Sequence, residues 1–333
     1  MMGDLFLGIN ILLVSFVISL GLTKWWISIA KKNDLVGKDM NKFNGKGVAE
    51  AGGIAVVTSI VLGILFYIFI KTFFLKSLSN LDNILVLTTT LLLAGFIGFI
   101  DDVLGWKKGL KQWQKALMTL PIAIPLMVLN VGQHIMNIPF FGEINLGFIY
   151  PLLLIPIAML GTTNGFNILA GYNGLEAGLG IIVFSFFGVA SLNSGNFWLA
   201  VIAGIIVMSL FGFIIYNKNP AKVFPGDSLT YPLGALVGVF AILGNMEKLA
   251  VFVFIPFIVE GILKARSRLK AENFGIPKKD GSLDSRYDKN YSLTHVAIRT
   301  IRAVKGKATE KDVVHLIWAF ELVLVVIALV WII

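Results

Sequence analysis

Four groups of polar residues stand at the ends of apolar runs, and their types suit phosphate and hard-cation chemistry. Asp101 and Asp102 close one such run and lead into the basic stretch GWKKGLKQWQK. Adjacent aspartates repel each other, so the pair needs a metal or a basic partner to ionise fully. Lys111 is a candidate point charge for a phosphate. Asp227 follows Pro225-Gly226 in VFPGDSLTYPLGA, where it reads either as a plain helix N-cap or as a ligand for a hard metal. The stretch NGFNILAGYNGLEAG, residues 164–178, carries three asparagines, the single carboxylate Glu176, and no Lys or Arg. The amides of Asn167 and Asn173 can ligate Mg²⁺ or face a base edge. A glycine-rich packing seam between helices would account for the glycines but not for the asparagines. Arg266 and Arg268, in KARSRLK, form either a phosphate fork or a contact with anionic lipid.

The elements that must position these groups are membrane-length helices. The chain has 333 residues, 57% hydrophobic and 14% charged, with a mean hydropathy of +0.85. A typical soluble domain carries roughly 25% charged residues. Apolar runs near the ~20 residues a span requires fall at about 4–30, 51–70, 84–100, 113–130, 148–165, 175–192, 196–216, 228–244, 248–264 and 313–332. Gly and Pro interrupt the fifth, sixth and eighth. The first run lacks a basic start and an A-x-A site, so it reads as a span and not as a cleaved signal. With no cysteine, disulfides and thiol chemistry are excluded.

The net charge of +9 reads as topogenic; nucleic acid is not an expected partner. With ten spans, every Lys and Arg except Lys71, Lys76 and Lys248 falls in one set of loops. That set is expected to be cytoplasmic, which leaves both termini outside. The Gly132–Gly147 loop alternates apolar and polar residues and is expected to form a small external β-hairpin. The expected fold is therefore an all-α polytopic membrane protein. It would be one integral domain, 1–333, of about ten transmembrane helices with a long cytoplasmic loop at 265–312.

Acidic residues gather on the same side as the basic ones, including Glu50, Asp101, Asp102, Glu176, Asp227 and Glu260. Five loops of one face thus contribute carboxylates, amides, lysine and arginines, equipment for a magnesium-bound pyrophosphate at a cytoplasmic-face active site. A transporter or ion pathway is the competing class. It would want polar residues through the whole membrane thickness, and internal repeats, neither of which the sequence displays. Histidine is scarce, so zinc or His-base chemistry finds little support.

At this point the residues resemble a known family, the polyprenyl-phosphate N-acetylhexosamine-1-phosphate transferases. The resemblance spans nearly the whole chain, through GKDMNKFNGKGVAEAGG (37–53), GFIDDVLGWKKGLK (98–111), NGFNILAGYNGLEAG (164–178), FPGDSLTY (224–231) and RSR (266–268). It is similar above all to the eukaryotic and archaeal enzymes that use UDP-GlcNAc and dolichyl phosphate. Bacterial muramyl-pentapeptide enzymes carry a second aspartate in the central loop and a histidine motif in the ninth, where the corresponding stretches here read NILAGYNGLE and Arg266-Ser267-Arg268.

The resemblance implies transfer of GlcNAc-1-phosphate from UDP-GlcNAc to a dolichyl or polyprenyl phosphate, with release of UMP, the opening step of lipid-linked oligosaccharide assembly. The alternative donor is another UDP-N-acetylhexosamine. It implies Mg²⁺, with Mn²⁺ as a substitute, held by Asn167 and Asp227. It further implies that Asp101, Asp102 and Lys111 act in catalysis, and that Glu50, Asn173, Glu176, Arg266 and Arg268 bind substrate. A homodimer is also expected, as in relatives.

Overall fold

The computed structural model describes residues 2–45, 47–108, 112–132, 135–138 and 142–332. Thirteen α-helices are present among them: α1 (Met2–Lys32), α2 (Gly53–Phe73), α3 (Leu81–Lys108), α4 (Gln112–Met118), α5 (Ile124–Val128), α6 (Ile155–Ile168), α7 (Leu175–Asn193), α8 (Phe197–Asn217), α9 (Asp227–Gly244), α10 (Glu247–Val253), α11 (Ile255–Ala265), α12 (Leu293–Lys305) and α13 (Glu310–Ile332). Eight segments are helical, long and apolar enough to cross a membrane. They lie in α1, α2, α3, the stretch 150–168 that ends in α6, α7, α8, α9 and α13.

The interruptions do not fall where Gly and Pro first suggest. The fifth, sixth and eighth runs are continuous helices, even with Pro232 inside α9. The fourth run breaks into α4, a 3₁₀ turn at Leu120–Ala123 and α5, with Pro121 and Pro125 at the junctions. The ninth breaks at Phe254 between α10 and α11, with Pro256 in the first turn of α11. Proline removes a donor and clashes with the preceding turn, but tertiary packing decides whether a helix survives it. Pro232 lies within a helix that is enclosed by protein.

That enclosed helix is α9, the centre of the bundle. Helices α3, α6, α2, α7 and α10 all pack on it, and 89% of its span is buried. Gly53 of α2 and Gly98 of α3 lie directly against the backbone of its first turn, where a Cβ would overlap main-chain atoms. Small residues allow such close backbone approach where burial of apolar area alone cannot drive helix association. Serines tie α1, α2 and α8 together in the same apolar setting. Ser19 Oγ donates to Ser209 O at 2.6 Å, and Ser59 Oγ donates to Ser15 O at 2.8 Å.

Three small sheets complete the fold. Strands β1 (Val36–Lys38) and β2 (Gly47–Ala49) pair antiparallel. So do β3 (Ile135–Ile138) and β4 (Gly142–Asn145), in the Gly132–Gly147 region. In the 265–312 loop, β5 (Ile276–Pro277), β6 (Ser282–Asp284) and β7 (Ala308–Thr309) form one sheet beside α12. The loop is thus folded, and Ser292 caps α12 by accepting from Thr294 N.

Candidate active site

The first turn of α9 is the fixed point around which the site is assembled. Residues 49–53 zip onto 223–225: Phe224 N donates to Ala49 O at 2.7 Å, Gly52 N to Phe224 O at 2.9 Å, and Gly53 N to Pro225 O at 2.8 Å. This zipper sets Glu50 beside the Pro-Gly-Asp turn. Asp102, from the end of α3, reaches the open N-terminus of α9, where Oδ1 accepts from Asp227 N at 2.7 Å and Oδ2 from Ser228 N at 3.0 Å. Helix N-termini leave unpaired N–H groups and carry partial positive charge, so a carboxylate there is favoured twice over. Gly226 makes this clasp feasible. Its φ is +69°, and a Cβ would overlap the Asp102 carboxylate.

The two adjacent aspartates therefore do different work. Asp101 is buried and turns toward side chains: its Oδ2 accepts from Tyr231 Oη at 2.9 Å and pairs with Lys115 Nζ at 3.0 Å. Its Oδ1 is buried without a hydrogen-bond partner among the described residues. Lys115 also reaches Asp227 Oδ2 at 3.5 Å. Asp227 Oδ1 accepts from the amide of Asn167, which donates as well to Thr230 Oγ1 at 2.8 Å. Asp227, Thr230 and Tyr231 share one face of α9 because they are three and four residues apart.

Two cavities flank this cluster. The larger, about 410 Å³, is lined by Asp39, Glu50, Tyr172, Asn173, Glu176, Phe224, Asp227 and Phe274, among others. The smaller, about 270 Å³, is lined by Lys115, Asn164, Asn167, Tyr231, Lys264 and Leu269, among others. Asp227 faces the first and Asn167 the second, so their hydrogen bond stands between the two. Phe274 of the ninth loop packs on Gly171, and Asn273 Nδ2 donates to both Ile168 O and Ala170 O at 2.8 Å. The ninth loop is thereby stitched to the Asn-rich segment.

The residues singled out in the sequence divide accordingly. Asp101, Asp102, Asn167 and Asp227 come together. Glu50, Asn173 and Glu176 border the larger cavity. Burial raises the carboxyl of Glu50 above the usual carboxylate range. Glu176 is buried, and its Oε1 accepts from Gly171 N at 2.6 Å, so it braces the loop. Arg266 and Arg268 are exposed and line neither cavity. Arg266 Nη1 reaches Asn290 O at 3.5 Å, and Arg268 sits at φ +53° in the turn that ends α11. Lys111 lies outside the described residues.

Lys115 and Tyr231 are the side chains of this cluster that the motif reading passed over. Tyr231 had a signal, since it lies four residues after Asp227. Lys115 had a weaker one, as one more lysine in a run that topology alone explains.

Among the described residues, no three Asp, Glu or His side chains converge as a preformed cation cage. The donor set nevertheless fits Mg²⁺, which takes one or two protein carboxylates and completes its shell with water and substrate phosphate. Asp227 supplies hard carboxylate oxygens at the boundary of the two cavities, Asn167 bonds to it there through its amide nitrogen, and the unpartnered Oδ1 of Asp101 adds to the local negative charge. One ammonium, Lys115, serves two carboxylates there.

Fold and site together define a multi-pass integral membrane protein with a cluster of charged side chains at the N-terminal end of α9. Residues 84–245 match the model of glycosyl transferase family 4. A relative from Sulfolobus acidocaldarius is 35% identical over 96% of this chain and 94% of its own length. It carries the provisional name UDP-N-acetylglucosamine–dolichyl-phosphate N-acetylglucosaminephosphotransferase. A Saccharolobus solfataricus relative with the same name is 36% identical over 96% of this chain and 95% of its own. A phospho-N-acetylmuramoyl-pentapeptide-transferase from Staphylococcus aureus is 32% identical over 64% of this chain and 68% of its own. The chain belongs to glycosyl transferase family 4 and is an enzyme.

Proposed function

We propose that the enzyme transfers GlcNAc-1-phosphate from UDP-GlcNAc to a dolichyl or polyprenyl phosphate. The observation that carries this reading is the cluster of Asp101, Lys115, Asn167 and Asp227 held between two cavities. The larger cavity, with its aromatic walls Phe224 and Phe274 and its amide Asn173, suits a nucleotide-sugar donor. The smaller, with Lys115 and Lys264, suits the phosphate of the lipid acceptor. The names carried by the two archaeal relatives support the choice of substrates.

In this reading an oxygen of the lipid phosphate attacks the β-phosphorus of the donor. The bond from that phosphorus to the bridging oxygen breaks, and UMP leaves with the electron pair. A phosphate monoester has a second pKa near 6, so much of the acceptor is already dianionic at neutral pH. Lys115 draws the acceptor phosphate in and offsets its charge. Asp101 orients it and takes up a residual proton, while Asp102 keeps the first turn of α9 in place. Asn167 and Asp227 would hold Mg²⁺, or Mn²⁺, which supplies charge neutralisation on the pyrophosphate oxygens. Arg266 and Arg268 enter from the ninth-loop turn as the donor phosphates bind.

The distribution of Lys and Arg supports a cytoplasmic site with both termini outside. Self-association is expected to appear as a cross-linked dimer in nanodiscs. The decisive assay is UMP release from a panel of UDP-sugars with polyprenyl phosphate, with and without Mg²⁺. Release from UDP-GlcNAc that needs both lipid and metal is the expected result. Nucleotide-sugar flux into proteoliposomes without UMP release would overturn the reading in favour of transport.

A further inference from the structure

The wall of the larger cavity is held from behind by one carboxylate at the far end of the chain. Glu310, the first residue of α13, is only 3% exposed. Its Oε1 accepts from the backbone N–H of Asn173 at 2.9 Å, across a sequence separation of 137 residues. Its Oε2 accepts from Asn219 Nδ2 at 2.6 Å and pairs with the ammonium of Lys42. The side chain of Asn173 points the other way and donates to Asp39 Oδ2 at 2.9 Å. The second oxygen of Asp39 accepts from Asn41 N at 3.1 Å, and Asn41 Nδ2 reaches Gly171 O at 3.3 Å. Three separate segments, at 39–42, at 171–173 and at Asn219, thus converge on one buried side chain. Asp39 and Asn173, which both line the cavity, belong to the network. Glu310 and Lys42 stand behind it.

An acidic residue in the first turn of a helix needs no special role, because the helix dipole favours it. Such residues are normally solvated. Glu310 instead spends both oxygens on donors from other segments, and burying a carboxylate is costly unless its partners are in place. The cost is met by three donors whose common product is the fixed backbone of Asn173.

We propose that Glu310 is a positioning residue for the donor. By fixing the backbone of Asn173 while Asp39 fixes its amide, it presents these two groups as a rigid pair to the nucleotide half of the donor. The inference rests on the substrate assignment above and concerns only the donor side. Gln is the same shape as Glu but has one acceptor. In Glu310→Gln the amide oxygen can still accept from Asn173 N–H, while the amide nitrogen faces the donors Asn219 and Lys42. Loss of a charged, buried hydrogen bond is worth about a tenfold change in an equilibrium constant.

The test uses full-length protein in nanodiscs. It measures UDP affinity, KM for UDP-GlcNAc, KM for polyprenyl phosphate, kcat and the melting midpoint. Glu310→Gln is expected to raise the UDP Kd and the donor KM about tenfold, leaving kcat and the acceptor KM within about twofold. The double variant Glu310→Gln with Asn219→Asp supplies an acceptor for the new amide nitrogen and for Lys42. It is expected to restore the donor KM to within about threefold of the native value. An unchanged donor KM in Glu310→Gln overturns the inference. So does an equal rise in both KM values, or a double variant that recovers melting but not donor KM. A native protein that binds no UDP and releases no UMP removes the substrate assignment itself, and this inference with it. Native activity with an indifferent Glu310→Gln removes the inference alone.

Discussion

The two charged faces of the site are built in opposite ways. Around Asp227 the charges sit on gripped backbone: glycines of α2 and α3 press on the first turn of α9, Asp102 clasps its N–H groups, and Asp101 is buried. At the ninth-loop turn the charges sit on exposed backbone. Arg266 and Arg268 extend from the end of α11, with Arg268 and Leu269 at positive φ, and neither arginine lines either of the two cavities described above. The contrast separates what must be preorganised from what can arrive with substrate. Carboxylates that share a site have to be held against their mutual repulsion, and fixed dipoles do so without reorganisation at the moment of reaction. Arginines that meet a diphosphate gain their partners only when it binds, so an exposed turn suffices until then.

If the gripped face is the reacting one, its variants are the most damaging. Asp227→Ala is expected to lower kcat/KM for UMP release by about a thousandfold or more, with the protein still extractable and folded. Chelation with EDTA should silence the native enzyme, and added Mg²⁺ should restore it. Survival of a tenth of the activity in Asp227→Ala would break the comparison at its strongest point.

The adjacent aspartates sharpen it. Asp101→Asn is expected to cost about a hundredfold in kcat with an unchanged melting midpoint, because Asn can still accept from Tyr231. Asp102→Asn would turn an NH₂ group toward an α9 N–H, leaving a buried donor unpaired at about 1–3 kcal/mol. Its melting midpoint should fall by several degrees, measured by intrinsic fluorescence in detergent. Equal melting losses in both variants would mean that the two side chains share one role.

On the exposed face, Arg266→Ala and Arg268→Ala should each raise the donor KM by about tenfold and leave the melting midpoint unchanged. If either variant lowers stability as Asp102→Asn does, the turn is part of the scaffold.

The smallest effect on turnover belongs to His295 in α12. Burial holds its imidazole neutral and lowers its pKa from 6.5 to about 4. The unfolded chain therefore takes up this proton first as pH falls. The contribution to stability is complete above about 6.5 and is lost progressively as pH drops toward 4. Activity at neutral pH should not change. The melting midpoint of the native protein should decline more steeply between pH 6.5 and 4 than that of His295→Phe.

Much of the architecture could be read from the chain because lipid leaves few options. Backbone buried in hydrocarbon must bond to itself, so long apolar runs become helices. Asp101, Asp102, Asn167 and Asp227, which the fold brings together, were legible as candidate site residues because polar groups at the ends of such helices are costly without a purpose. The fate of each proline was not legible. Pro232 is tolerated in the enclosed α9, whereas the 113–130 and 248–264 runs break beside Pro121, Pro125 and Pro256. Residue type cannot tell these apart, since the deciding term is the packing supplied by neighbours distant in sequence.

The sequence by itself determined a membrane-embedded helical bundle, the side on which charge collects, and the residue types available for phosphate and cation chemistry. Only the tertiary structure decided that Asp101 faces Lys115 and Tyr231 while its neighbour Asp102 clasps α9. It likewise decided that Lys115 reaches Asp101 and Asp227, and that Glu310 reaches back to Asn173. Local pattern fixes which groups can ionise, donate or accept. Apart from the Asp101–Lys115 pair, these partners are set by contacts between segments more than 100 residues apart, and no periodicity within a single segment encodes those.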